Sequence, residues 1–355
     1  MVFTSNPGTN TISEILSEPH TWRKCLADLE ASGQLQQLSD DLERDVEWIF
    51  VGCGSSFYLA QAAAATWSLL TKSPARAIPA SEILLFAGTL PAQGQFVLIS
   101  RSGHTSEVIQ AATHLKRHSK TPVLAVTCGT GTPLEKLATF TIGLPAADEK
   151  STVMTRSFTS MLLALQSLAA HRGDNPGFIA ALRTLPVETE AVLSPAQQKI
   201  RTLVNARTFA DYVFLGQGPF FGIAQESMLK VKEMSCSYAQ CFHTLEFRHG
   251  PKAIVSSETL LTFFLSESGY EAEAAVLHEM KELGAVTLVV ANTVSAAVRK
   301  SADYVIELGL SVPELARAAA AVIPGQLLGF YTGIRKGFDP DSPRNLSRVV
   351  MLEGK

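Results

Sequence analysis

WIFVGCGSSFYLAQ, from Trp48 to Gln61, is answered by YVFLGQGPFFGIAQ, from Tyr212 to Gln225, and this pair decides how the chain is read. Each is a short apolar run that closes on Gly-x-Gly and passes into a helical pattern, and the two lie 164 residues apart. A repeat of that length is one folding unit used twice. Two more pairs follow in the same order: FVLISRSGHTSE from Phe96 with LTFFLSESGYEAE from Leu261, and ATFTIGLP from Ala138 with ADYVIELG from Ala302, the last again 164 residues apart.

Fully apolar runs predict strands at 49–52, 96–100, 122–127 and 138–143, then at 212–216, 259–266, 285–291 and 303–308. Helix-length amphipathic stretches separate them. That alternation predicts parallel sheets covered by helices on both faces. The fold class expected is α/β: two tandem three-layer α/β/α domains with flavodoxin-like parallel sheets. The expected limits are an N-terminal helical arm at 1–40, a first domain at 41–170, linker helices at 171–205, a second domain at 206–335 and a tail at 336–355.

With 355 residues and 46% hydrophobic content, the chain can bury a core in each domain. Lys and Arg total 30 against 33 for Asp and Glu, a net charge of -3, which gives no general pull toward nucleic acid or anionic lipid. An anion must therefore be caught locally. The opening MVFTSNPGTNTISEIL lacks signal-peptide character, and no stretch of about 18 uncharged apolar residues follows, so no membrane segment is expected. Five cysteines without a CxxC pair fit free thiols in a reducing, cytoplasmic setting.

In open parallel sheets, ligands collect beyond the carboxyl ends of the strands. GCGSSF (Gly52–Phe57) and SRSGHTSE (Ser100–Glu107) fall there, each after a strand and before a helix. Small hydroxyl residues, backbone N–H groups and helix dipoles at such places suit a phosphate. Either loop alone is equally well explained by helix capping. Two loops in one half, with Ser55, Ser56, Ser100, Ser102 and Thr105 able to converge, favour an anion site. A dinucleotide loop is excluded because Phe57 stands where the third glycine is needed. The second half reads GQGPFF and SESGYEAE, so phosphate is expected in the first half only.

The second half offers AQESMLKVKEMS, a helical pattern that puts Glu226, Lys230 and Glu233 on one face. Read alone, it is an ordinary surface ladder of ion pairs. LEFRHGPKAI follows, where Gly250 and Pro251 hold His249 on a constrained loop. A carboxylate and an imidazole together suit stepwise proton transfer near neutral pH. His114 and His118 stand four apart on a helix, but their Lys and Arg neighbours indicate a solvated basic face, and no metal or cofactor is expected.

GCGSS, ISRSGHTSE, MTRSFTSM, AQESMLKVKEMS, FRHGPK and DPDSPRNLSRVVMLE resemble, in order and spacing, the SIS-domain phosphosugar enzymes. Within that family the likeness is to the isomerase half of glucosamine-6-phosphate synthase and to the ketose/aldose isomerase and aminosugar-phosphate deaminase group. The resemblance implies that Ser56, Ser100, Arg101, Ser102 and Thr105 occupy phosphate-loop positions and that Glu149 lies near the sugar hydroxyls. It implies further that Glu233 moves a proton between C1 and C2, that Lys230 tunes Glu233 or binds substrate oxygens, and that His249 opens the ring. A homodimer with a shared active site is implied too, the His-bearing loop coming from the other subunit and the tail closing over the sugar.

Two departures narrow the expected activity. The synthase carries a glutaminase domain, whereas Met1-Val2 here leads straight into the SIS region, so the chain is not expected to draw ammonia from glutamine by itself. The synthase also has an imine-forming lysine in its tail, where this chain has Arg348; a guanidinium that stays protonated forms no Schiff base. The function expected is release of ammonia from an aminosugar 6-phosphate with isomerisation. The alternatives are a simple aldose–ketose isomerase and a non-catalytic phosphosugar sensor. Neither a nucleic-acid partner nor a membrane is expected.

Overall fold

The computed structural model describes residues 6–91, 93–118 and 122–350. Three helices open it: α1 (Thr9–Leu16), α2 (Glu18–Ser32) and α3 (Gln34–Asp41). The first sheet region then runs β1 (Glu47–Gly52), α4 (Ser55–Thr71), β2 (Ala75–Pro79), α5 (Ala80–Leu85), β3 (Gly94–Ile99), α6 (Ser106–His118), β4 (Val123–Thr127), α7 (Pro133–Leu137), β5 (Phe140–Gly143) and α8 (Arg156–Arg172). The long helix α9 (Pro176–Ala206) follows. The second region repeats the plan with β6 (Asp211–Gly216), α10 (Pro219–Ser235), β7 (Ala239–His243), β8 (Thr259–Phe264), α11 (Tyr270–Glu282), β9 (Val286–Ala291), α12 (Ala296–Ser301), β10 (Tyr304–Glu307), α13 (Ala318–Ala321) and α14 (Ile323–Arg335).

Both sheets are parallel, with orders β2-β1-β3-β4-β5 and β7-β6-β8-β9-β10. This is the flavodoxin-like order, in which the winding reverses between the first strand and the third. Each sheet has five strands where the apolar runs predicted four. The additional strands, β2 and β7, lie at an edge and are only partly buried, so ARAIP and AQCFH lack the unbroken apolar signature of a central strand. Pro79 at the end of β2 is tolerated for the same reason.

Side-chain alternation explains the three layers. In β1, Ile49 and Val51 join a core with Ala80, Ile83, Leu98 and Val108. Trp48 and Phe50 face the opposite way, and the Trp48 ring stacks on Trp67 of α4 at 3.7 Å. All four are buried, so both faces of the strand are covered. The second sheet has its own core, built on Val213, Leu215, Leu261, Phe263 and Val289.

The chain divides into two compact units that do not follow it contiguously. One combines the segment up to Pro19 with Lys150–Thr155 and Leu185–Leu346; the other combines His20–Glu149, Arg156–Thr184 and the tail from Ser347. Within the first of these, Asp341 in the DPDS segment accepts from the Asn10 and Thr11 N–H groups at 2.9 and 2.7 Å, satisfying donors at the start of α1.

Helix α14 packs along α10 by a stripe of glycines, Gly325, Gly329 and Gly333. A Cβ on Gly329 would sit 2.6 Å from the Lys230 carbonyl oxygen, and one on Gly333 2.3 Å from that of Met234. Backbone meets backbone here, so no side chain can yield. Helix propensity alone would make Gly329→Ala stabilising by about 1 kcal/mol. We expect the overlap to reverse the sign and cost roughly 1–3 kcal/mol. An unfolding midpoint equal to or above that of the wild type would show that the helices are free to separate.

Candidate functional site

The switch point of the first sheet is flanked by the loops after β1 and β3. Gly54, before α4, has φ 54° and ψ −128°; its repeat partner Gly218, before α10, has φ 51° and ψ −129°. A side chain resists this conformation, which accounts for glycine at both places. Ser55 and Ser56 form the first turn of α4 and are buried. In the second loop, Ser100 Oγ lies 3.0 Å from Thr105 Oγ1 and accepts from the Gly103 N–H at 3.2 Å. Ser102 Oγ accepts from the His104 N–H at 3.1 Å. The structure thus brings Ser100, Ser102 and Thr105 together on one loop leading into α6. Cys53 lies in the neighbouring loop, but burial pushes its thiol up to about 11 with help from Glu107, so it is no nucleophile at neutral pH.

Arg101 and Glu149 form a buried pair at 3.2 Å, their side chains 5% and 0% exposed. Glu149 also accepts from the Ser157 hydroxyl and from the Ser157 N–H at 3.3 Å. The resemblance set Glu149 beside sugar hydroxyls; in this arrangement its carboxylate braces Arg101 and the start of α8. Arg101 Nη2 also donates to the Arg348 carbonyl at 3.0 Å, and the Arg348 guanidinium reaches Asp148 Oδ1 at 2.6 Å. The Ser106 N–H, at the start of α6, donates to the Val350 carbonyl at 3.3 Å. The tail is therefore fastened to this loop by both main chain and side chain.

In the other unit, α10 carries Glu226, Lys230 and Glu233. Lys230 Nζ lies 3.2 Å from Glu226 Oε1 and 2.5 Å from Glu233 Oε2. The spacing reads as a surface ladder, but Lys230 and Glu226 are 0% exposed and Glu233 is 19% exposed. Burial works to remove the proton from Lys230; the two carboxylates outweigh it and raise the pKa above the usual lysine value. The centre is an ammonium between two carboxylates, and one of those carboxylates reaches solvent.

His249 sits between the short helical turns Glu246–Arg248 and Pro251–Ile254 and is exposed. Its N–H donates to the Glu246 carbonyl at 2.9 Å. Among the described residues, no hydrogen bond or ion pair joins its ring to Glu233. The rings of His114 and His118 lie 4.6 Å apart, and no group of three His, Cys, Asp or Glu among the described residues could hold a metal ion. No helix among them is long and apolar enough to cross a membrane.

Two parallel sheets of one order, each with a glycine turn at its switch point, match the SIS domain model at residues 44–171 and 211–329. The chain belongs to the SIS-domain family. The isomerizing glutamine–fructose-6-phosphate aminotransferase of Gloeobacter violaceus is 30% identical over 359 residues, covering 96% of this chain and 58% of that relative's length. The chain thus spans little more than half of that relative. The solved glucosamine-6-phosphate deaminase of Thermotoga maritima is 29% identical, with a TM-score of 0.80 over 97% of this chain and 100% of that one. The tagatose-6-phosphate ketose/aldose isomerase of Escherichia coli, 22% identical with a TM-score of 0.85 over 98% and 97% of the two chains, shares the SIS fold.

The sequence pattern did not disclose that Glu226 and Lys230 are sealed from solvent. A signal was present in Gly325, Gly329 and Gly333, whose spacing marks a helix face made for close approach. Nothing local ties that stripe to α10, which lies about a hundred residues earlier.

Proposed function

We propose that this SIS-domain chain is an aminosugar-6-phosphate deaminase with ketose–aldose isomerase chemistry. The observation that carries the proposal is the buried Glu226–Lys230–Glu233 centre, which presents a single carboxylate, held beside a fixed positive charge, to solvent. The likeness to the Thermotoga maritima deaminase over 97% of this chain and 100% of that one supports it.

Ser55, Ser56, Ser100, Ser102 and Thr105 hold the 6-phosphate, aided by the N-termini of α4 and α6. His249 opens the sugar ring. Glu233 takes the C2 proton of the open aldose and returns it to C1, converting the 2-amino aldose into a ketose imine. Water adds at C2, ammonia leaves, and a ketose phosphate remains. Lys230 keeps its proton and offers its charge to the oxygens that gain electron density. Arg348, already fixed near the phosphate loop, supplies guanidinium donors and no imine. The exposed His249 turn fits a site shared in a homodimer, with the ring supplied by a second copy of the chain. Five unpaired cysteines support a cytoplasmic setting.

A panel of hexosamine and ketohexose 6-phosphates, assayed for ammonia and ketose together, tests the reading. Equal yields of ammonia and ketose from a hexosamine phosphate are expected. Aldose–ketose interconversion without ammonia would reduce the activity to simple isomerisation. Turnover of none of the sugars would leave a phosphosugar sensor.

Ser102→Ala and Thr105→Val are each expected to weaken substrate binding by about 1.5–3 kcal/mol, the worth of a hydrogen bond to a charged group. Calorimetric titration with the sugar phosphate measures it. Unchanged affinity in both variants would move the phosphate elsewhere.

A further inference from the structure

The loop Ser266–Gly269 before α11 repeats Ser100–Gly103 before α6, and it is fastened in the same way. The Gly269 N–H donates to Ser266 Oγ at 2.9 Å, as Gly103 does to Ser100. What differs is what the loop holds. The backbone N–H groups of Glu267 and Ser268 both donate to Glu314 Oε1, at 2.5 and 3.2 Å, and the Ser268 hydroxyl donates to Glu314 Oε2 at 2.6 Å. These donors stand at the repeat positions of Arg101 and Ser102. The Glu267 carboxylate turns to Arg317 and Asn292, and the buried Glu273 takes the Ser266 N–H and hydroxyl, each at 2.8 Å.

We propose that this loop is a second anion cradle whose ligand is built into the chain, the Glu314 carboxylate standing where the first loop takes a phosphoryl group. The comparison with phosphate rests on the reading of the first loop given above. Two N–H donors and a hydroxyl around one carboxylate form an oxyanion nest. Their occupation in cis leaves one phosphate site per chain. The anchored residue opens the turn Glu314–Arg317, which runs directly into α13 and α14. Glu314 is thus a positioning residue: it fixes the start of the segment whose glycine stripe lies against the α10 backbone at Lys230.

If the cradle is an anion site, a small free carboxylate will replace the side chain once Glu314 is removed. The full-length Glu314→Ala protein is expected to unfold at a lower temperature than the wild type. Sodium formate, compared with sodium chloride at equal ionic strength, should raise its midpoint saturably by about 2–4 °C. The wild type and the Glu314→Ala/Ser268→Ala double variant should show no such formate-specific rise. Ser268→Ala alone should lower the wild-type midpoint, and this holds the test even if Glu314→Ala does not fold. The same formate response in all the proteins, or an unchanged midpoint for Ser268→Ala, would overturn the proposal. The readout is stability, so formate rescue in a protein inactive on sugar phosphates would sink the functional reading and leave the cradle standing.

Discussion

Glu233→Gln is expected to lower kcat by about 10²–10⁴-fold while leaving KM within a few-fold of wild type, because it removes the proton acceptor and keeps its shape. Of Glu226, Lys230 and Glu233, only Glu233 has a side chain that reaches solvent, so it is the carboxylate of this helix that can meet a C–H bond of a substrate. Its neighbour Lys230 stays paired with Glu226 at 3.2 Å in the variant, so the fold should survive. Steady-state kinetics on whichever sugar phosphate turns over measures the effect. A kcat within threefold of wild type would take Glu233 out of proton transfer and leave the C1–C2 shift without a base on this helix.

Lys230→Met is expected to destabilise its unit by about 3–5 kcal/mol, the cost of removing one partner from a buried ion cluster. Methionine nearly matches the lysine stem in volume, so the loss is electrostatic rather than a cavity. Two carboxylates would then share a low-dielectric space with no cation between them, and one must take up a proton or the helix must open. The folded pKa of Lys230 lies above its unfolded value, so the stability it contributes is fully present below the ordinary lysine value and is lost as pH rises through the folded one. At neutral pH the wild type therefore keeps the whole advantage. Denaturant unfolding at neutral pH reads the difference, and a variant within 1 kcal/mol of wild type would mean that the carboxylates do not depend on Lys230. Loss of activity should accompany loss of stability, since the charge beside Glu233 goes too.

Legibility followed the range of the interaction. The central strands β1, β3, β4, β6, β8 and β9 could be read because a strand buried on both faces is apolar along nearly its whole length, a pattern visible within six residues. The edge strands β5 and β10 could be read as well, from FTIG and YVIE, whereas β2 and β7 could not, because Arg76 in ARAIP and Gln240 and His243 in AQCFH break the apolar run and leave these segments looking like connections. The position of the Ser100–Thr105 loop between β3 and α6 could be read because the apolar run before it and the helical pattern after it are both local. The pairing of Arg101 with Glu149 could not, because the partners are far apart in the chain and each is also plausible on a sugar phosphate.

The duplication, the two parallel α/β sheets, the glycine turns at their switch points and the helix that carries Glu226, Lys230 and Glu233 are all legible in the residues alone. The duplication and the sheets rest on apolar runs that recur along the chain, the glycine turns and the helix face on patterns within one or two turns of it. That Lys230 is buried, that Glu149 braces Arg101 and that Glu314 fills the second loop emerges from the folded chain alone. Desolvation is set by what packs on top of a group, and such contacts come from residues far away in the chain. What reads as an exposed ladder of ion pairs is a buried charge cluster on a helix whose backbone is met at Lys230 by α14, about a hundred residues downstream.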